Sequence, residues 1–328
     1  MVLSVITNII NNNYMKTINV CRSVVIFSVF LLLMGCMKED ESDCGILLRF
    51  EFTLNPQHLD KFTSNDVNKL TIFVFDKDGN LVTQFEETGT FGADYRKSLR
   101  LPAGEYSFVV WGNLADNTDV STTGNITQRT MLLKAGSNDE VTTPTQHILY
   151  GRRTVVINTY GNNQEYLIEL MDDTKNVKVI FEGIPADSHD IGNFVCYITA
   201  ADGDYTFYNS FSNFPRTLTY RPVRTENGTT LINDFSTLLI SAYNELTKSS
   251  DCNSRLILEY HNVLTDGTVE VIRLMDESLS YLILSKYPDI NWVIDNNFVL
   301  TFNIDYTNGN FSVTPNGWTL KETEIIIG

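Results

Sequence analysis

Apolar and polar side chains alternate with period two in run after run of this chain, and the runs close on turn dipeptides. That combination permits little besides antiparallel β-structure. Phe298, Leu300, Phe302 and Ile304 share one face of such a run, while Thr301, Asn303 and Asp305 share the other. Asn308-Gly309 follows, two residues that tolerate the positive φ of a tight hairpin turn, and Phe311-Ser312-Val313 returns. Leu256, Leu258 and Tyr260 repeat the pattern, with Asp266-Gly267 turning into Val269 and Val271.

Leu70 to Phe75 is apolar on both faces, which predicts a central strand, or one covered on its outer side by another part of the chain. Asp76-Lys77-Asp78-Gly79 then turns the chain into Leu81 and Val82. Helical spacing is confined to residues 276–287, which begin with Asp276 and stop before Pro288, and, less clearly, to residues 235–247. The expected fold is therefore all-β, built of sandwiches. A length of 328 residues suggests about two domains. IFVFDKDGNLVT (72–83) and CYITAADGDYTF (196–207) each read as strand, Asp-Gly turn and return strand. Each also follows an opening strand, Ile46–Leu54 or Val177–Ile184. This loose duplication predicts two similar units, residues 44–171 and 172–328, divided near 170–175.

The N-terminus reads differently. Residues 24–35 (VVIFSVFLLLMG) form a twelve-residue uncharged run with Lys16 and Arg22 upstream. A membrane-spanning helix needs about 20 apolar residues, so this run has the form of a secretory signal peptide. It ends in Leu33-Met34-Gly35-Cys36, which resembles the bacterial lipobox. That resemblance implies cleavage between Gly35 and Cys36, with the Cys36 thiol carrying a diacylglycerol and its freed amine an acyl chain. Small Gly35 gives a peptidase access to the backbone just before the modified cysteine. Residues 1–14 add nothing a signal needs, and Met15-Lys16 makes a more natural start. Loss of residues 1–35 removes two bases and no acid, so the net charge moves from -16 to -18. Such a chain will not adhere electrostatically to anionic lipid, and acyl chains must supply the attachment, at about 0.8 kcal/mol per buried methylene. Residues 36–43 are then a lipidated acidic tether. Within it, Lys38, Glu39 and Asp40 resemble a signal that exports lipoproteins to the outer face of the outer membrane.

Catalytic patterns are missing. Fifteen Tyr and nineteen Phe beside four His suit a binding or structural module better than an enzyme. His58, His147, His189 and His261 are scattered, with no HExxH, GxSxG or P-loop, so no metal or cofactor is expected. Asp76-Lys77-Asp78-Gly79-Asn80 places its glycine too early for a calcium loop, and it reads as a turn, as does Asp202-Gly203-Asp204. The excess of acid argues against a nucleic-acid partner. Asn125-Ile126-Thr127 and Asn227-Gly228-Thr229 are sequons of little meaning in a bacterial lipoprotein. Once Cys21 leaves with the signal, Cys44, Cys196 and Cys252 remain beyond Cys36. Cys196 suits packing as a small hydrophobe, and a Cys196–Cys252 bridge stays open, because spacing alone does not decide it. Trp111, Trp292 and Trp318 could stack on sugar, though core packing fits them better.

Taken in order, several segments resemble the FimB-type fimbrial anchor lipoproteins of protease-processed (type V) fimbriae. They are the lipobox, Cys44 leading into Leu47-Leu48-Arg49-Phe50, Leu70 to Asp76, Leu101-Pro102-Ala103-Gly104-Glu105-Tyr106, Val110-Trp111-Gly112-Asn113, Tyr287-Pro288-Asp289 and Asn316-Gly317-Trp318. The resemblance spans nearly the whole chain after Cys36. It implies two tandem transthyretin-like sandwiches and a non-catalytic basal anchor, held in the outer membrane by lipid and facing the cell surface. It also implies as partners the fimbrial shaft pilin and minor fimbrial subunits, docked by β-strand complementation, with fibre length limited from the base. A minor or tip subunit of the same fibre is the close alternative, and a surface glycan-binding lipoprotein is the alternative of another class. Ile325-Ile326-Ile327 is apolar enough to be a lent strand, though pairing within its own domain suits it better.

Overall fold

A computed structural model describes residues 46–50 and 67–320, apart from 92–94, 115–117, 122–123, 143–146, 159–163, 186–189, 214, 239–241, 243, 245–249 and 251. Its strands form five sheets, none closed into a barrel. In the first, β1 (Ile46–Phe50) lies between β10 (Glu165–Ile168), which is parallel to it, and β4 (Arg96–Leu99), which is antiparallel. In the second the order is β11 (Met171–Asp172), β9 (Leu149–Ile157), β5 (Gly104–Gly112), β2 (Lys69–Asp76) and β3 (Leu81–Thr88).

β2 and β5 explain the doubly apolar run. Leu70, Ile72 and Val74 join Tyr106, Phe108 and Val110 in one core, which Leu99 and Tyr166 of the first sheet help to close. Phe73, Phe75, Val109 and Trp111 point the other way, into a second core that continues through the C-terminal half. Both faces of these strands are therefore dry, as their sequence predicts. At the entry to β5, the Tyr106 hydroxyl folds back and donates to the Pro102 carbonyl at 3.0 Å, fixing the Leu-Pro-Ala-Gly turn.

The C-terminal half is a sandwich of two five-stranded sheets. One runs β16 (Val223–Asn227), β17 (Thr230–Leu238), β12 (Thr174–Glu182), β20 (Asn297–Thr307) and β21 (Asn310–Pro315). The other runs β19 (Val269–Ser278), β18 (Arg255–Val263), β13 (Phe194–Ala200), β15 (Leu218–Tyr220) and β8 (Glu140–Val141). Phe298, Leu300, Phe302 and Ile304 are buried, and Asn308 and Gly309 turn the hairpin at φ 55° and 81°. Asp266-Gly267 likewise joins β18 to β19, with Gly267 at φ 83°.

Three local expectations need correction. Residues 235–238 are not helical: they finish β17, whose alternate residues Leu231, Asn233, Phe235 and Thr237 face inward against eight residues of β12. The helix expected over 276–287 is α1 (Leu279–Lys286), and Ser278 rather than Asp276 caps it. Asp276 is held in β19 by Arg255 and Arg273. The third concerns Asp202-Gly203, which does not turn a hairpin. Beyond it the chain leaves β13, and β14 (Asp204–Thr206) pairs with β7 (Thr130–Leu133), which in turn pairs with β6 (Thr118–Val120). The same exchange recurs where β8 pairs in parallel with β15. Strand pairing thus crosses residue 171 in two places, and Phe207, delivered by the β14 segment, packs edge-on against Phe73 and Phe75 at 4.9 and 5.9 Å.

Candidate docking edges and the polar seam

A chain of sheets can engage other proteins through main-chain groups left unpaired at its edges, and proteins normally blunt such edges with charge, proline or brevity. Most edges here are blunted. On β3, Lys69 pairs with Glu86 at 2.9 Å and Lys97 with Glu87. β21 ends in Pro315. On β16, Arg224 pairs with Glu226 at 2.8 Å and donates to the carbonyls of Ile191 and Phe194, drawing that edge back onto the body. β6, β8, β11 and β14 span two or three residues each.

β19 is the exception. It is ten residues long, and residues 269–273 are exposed on both faces. Val269 (53%), Val271 (53%) and Ile272 (37%) lie open beside Val263 (58%) and Leu264 (43%) on the same hairpin arm. The ladder's irregularity lies at Leu274, which the register skips between Arg273 and Met275, so residues 269–273 pair in unbroken order with Val263 to Glu259. Inboard of it, a charged network stiffens the outer face. The Glu259 carboxylate accepts from Tyr197 and Arg273 at 2.9 Å each and meets His261 at 3.2 Å, while Arg273 reaches on to Asp276 at 3.1 Å. Burial opposes ionisation of Glu259, but the hydrogen bonds from Arg273, His261 and Tyr197 outweigh it and hold the carboxyl below its ordinary pKa.

The seam between the halves holds a different chemistry. Asp202 is buried, accepts a hydrogen bond from the Tyr220 hydroxyl at 2.6 Å, and burial pushes its pKa up to about 8. Asp173, also buried, accepts from Asn209 Nδ2 at 3.0 Å and is pushed up to about 7 for the same reason. Burial lowers Lys175, whose ammonium donates to the Asp295 carbonyl at 3.1 Å and to Asn296 Oδ1 at 2.5 Å. The Tyr150 hydroxyl donates to the Phe207 carbonyl at 2.9 Å, and Arg216 Nε meets Asp204 at 3.0 Å. These bonds fasten β9, β12, β14 and β15 to the segments beside them. Among the described residues, no three His, Cys, Asp or Glu side chains are grouped to hold a metal ion.

The residues singled out in the sequence fall as follows. Gly35, Cys36, Lys38, Glu39, Asp40, Cys44, His58, His189 and Ile325–Ile327 lie outside the described residues. Cys196 and Cys252 are buried and not bonded to each other, and burial raises the Cys196 thiol. Asp76 serves its turn, its carboxylate accepting from the backbone of Asp78 and Asn80 at 2.9 and 2.8 Å. Trp111 is buried edge-on to Tyr150, and Trp318 donates to the Thr301 carbonyl at 2.9 Å while packing on Phe302. Sequence reading missed Asp202 as a buried carboxyl, because Asp-Gly looks the same in an exposed turn. It also passed over β19 as a docking edge, although Val269, Val271 and Ile272 close together in one strand were a visible signal.

The family model for fimbrillin-A associated anchor proteins Mfa1 and Mfa2 matches residues 40–324. No curated protein matches the chain. Among solved structures, the fimbrial anchor protein Mfa2 from Porphyromonas gingivalis superposes with a TM-score of 0.67 at 18% identity, over 84% of this chain and 98% of that one. A candidate polysaccharide-binding protein from Bacteroides thetaiotaomicron gives 0.66 at 21% identity, over 86% and 99%. A candidate adhesin from Bacteroides ovatus gives 0.67 at 19% identity, over 86% and 96%.

Proposed function

The chain belongs to the fimbrillin-A associated anchor protein family, and from that membership we propose that it is the lipid-anchored basal subunit of an outer-membrane fimbria. It is a fimbrial-family subunit, not an enzyme. The carrying observation is the family match over residues 40–324, which begins four positions after Cys36 and takes in both halves of the chain.

In this reading cleavage after Gly35 exposes Cys36, whose thiol takes a diacylglycerol and whose amine takes an acyl chain. Two or three chains on one residue make release from the bilayer negligible, whereas one anchors only marginally. Lys38, Glu39 and Asp40 direct the lipoprotein to the outer leaflet, so that the body faces the cell surface. Two transthyretin-like sandwiches, 44–171 and 172–328, form that body; the separate core on one face of β2 and β5 supports that division. Shaft pilin or a minor subunit docks on an open sheet edge by adding a strand, main-chain hydrogen bonds giving affinity and side-chain pockets giving register. A base fixed in lipid also limits fibre length.

Pull-down from detergent-solubilised outer membranes tests this directly. Shaft pilin is expected to co-purify. Retention on a polysaccharide column with no pilin recovered would overturn the anchor reading in favour of a glycan-binding surface lipoprotein.

A further inference from the structure

We propose that the outer edge of β19, at Val269–Arg273, is where a strand of another fimbrial subunit is added. The incoming strand is apolar where it meets Val269 and Val271 and carries a Lys or Arg opposite Glu270. This rests on the anchor reading and gives it a location.

Three observations carry it. First, β19 is long, is hydrogen-bonded to no described strand on its outer side and is exposed on both faces over residues 269–273, while a Lys69–Glu86 pair covers β3, Arg224 draws β16 back and β21 ends in Pro315. An edge left so open attracts unwanted pairing, and a surface protein that keeps it has a use for it. Second, side chains stand out on both faces in the pattern an added strand reads. Val269 and Val271 sit two residues apart on the outer face, Val269 opposite Val263, and Ile272 lies on the core side opposite Tyr260. An added strand extends the sheet past these side chains and removes their apolar surface from water. Third, the arm is acidic. Glu270 makes no ion pair among the described residues and accepts only from Asn262 Nδ2, at 3.3 Å, while Asp266 at the tip bonds within its own turn. In a chain of net charge -16, a second copy would bring two such arms together, whereas a basic strand complements them.

The test uses the full lipidated protein in detergent with a photo-crosslinking residue at position 271, or at position 82 on the β3 edge as control, mixed with purified shaft pilin. The expected product joins position 271 to a terminal strand of the pilin, with no product from position 82. Val271→Lys is expected to weaken pilin binding about tenfold, and Glu270→Gln about threefold. Both sites are exposed, so unchanged melting temperatures would separate lost docking from lost folding. Pilin bound but linked only from position 82 would overturn this edge while leaving the anchor reading intact. So would a link from 271 to a second copy, or to this chain's own Ile325–Ile327. Pilin that does not bind at all would sink both.

Discussion

Asp202 shows how one buried side chain sets a property of the whole protein. Its carboxyl is fully enclosed, accepts from the Tyr220 hydroxyl at 2.6 Å, and lies near enough to Tyr205 to act on it as well. Burial raises its pKa from an ordinary 3.8 to about 8. The folded state therefore binds a proton that the unfolded state has released between those values. The stability this proton supplies is fully present below the unfolded pKa and is lost as pH rises through about 8. The slope is at most about 1.4 kcal/mol per pH unit. Asp173, raised to about 7, acts in the same sense. Asp202→Asn keeps the shape and removes the charge, so thermal unfolding followed from pH 5 to 9 is expected to show a shallower decline than the parent. A variant whose profile runs parallel to the parent's would show that Asp202 does not hold this proton.

Among elements, β9 and the crossing beside it illustrate what period two does and does not convey. Leu149, Val155 and Ile157 are inward, but the chain between β10 and β11 passes directly over Gly151. A Cβ there would lie 2.4 Å from the Glu169 carbonyl oxygen and 2.3 Å from Leu170 Cδ2. Gly151→Ala is expected to lower stability by about 1–3 kcal/mol through overpacking, whereas Gly136→Ala, whose nearest neighbour is 3.5 Å away, should be nearly neutral. Paired melting curves check both, and equal melting temperatures would contradict the packing argument. Hairpins such as β20–β21 were legible because strand, turn and return strand are contiguous and Asn308-Gly309 states its backbone geometry. β2 was legible as a covered strand, because Leu70 to Phe75 has no polar face to give to water. The partner that covers it was not legible: Phe207 arrives from a strand about 130 residues later in the chain, and local alternation is silent on distance. The parallel pairs β1–β10, β12–β20 and β8–β15 were hidden for the same reason. Phe235–Leu238 was misread because its helical spacing was judged without the β12 ladder that claims it.

At the scale of the whole molecule, the two halves share one apolar core running from Phe73 and Trp111 to Phe302 and Ile304, sewn by strands that cross between them. Such stitching resists separation of the two halves, since pulling them apart must break paired strands. The non-catalytic character also belongs to this scale: buried acids at the seam and charge networks on outer faces hold strands in place. The proposed anchor role depends on lipid at Cys36 and a fibre docked on the sheets. The most direct measurement is the partition of fimbriae between cells and medium in a strain carrying Cys36→Ala. Assembled fimbriae, with this subunit still at their base, are expected to be shed into the medium. Fimbriae that stay on the cell while the unlipidated subunit is present would contradict the anchor role.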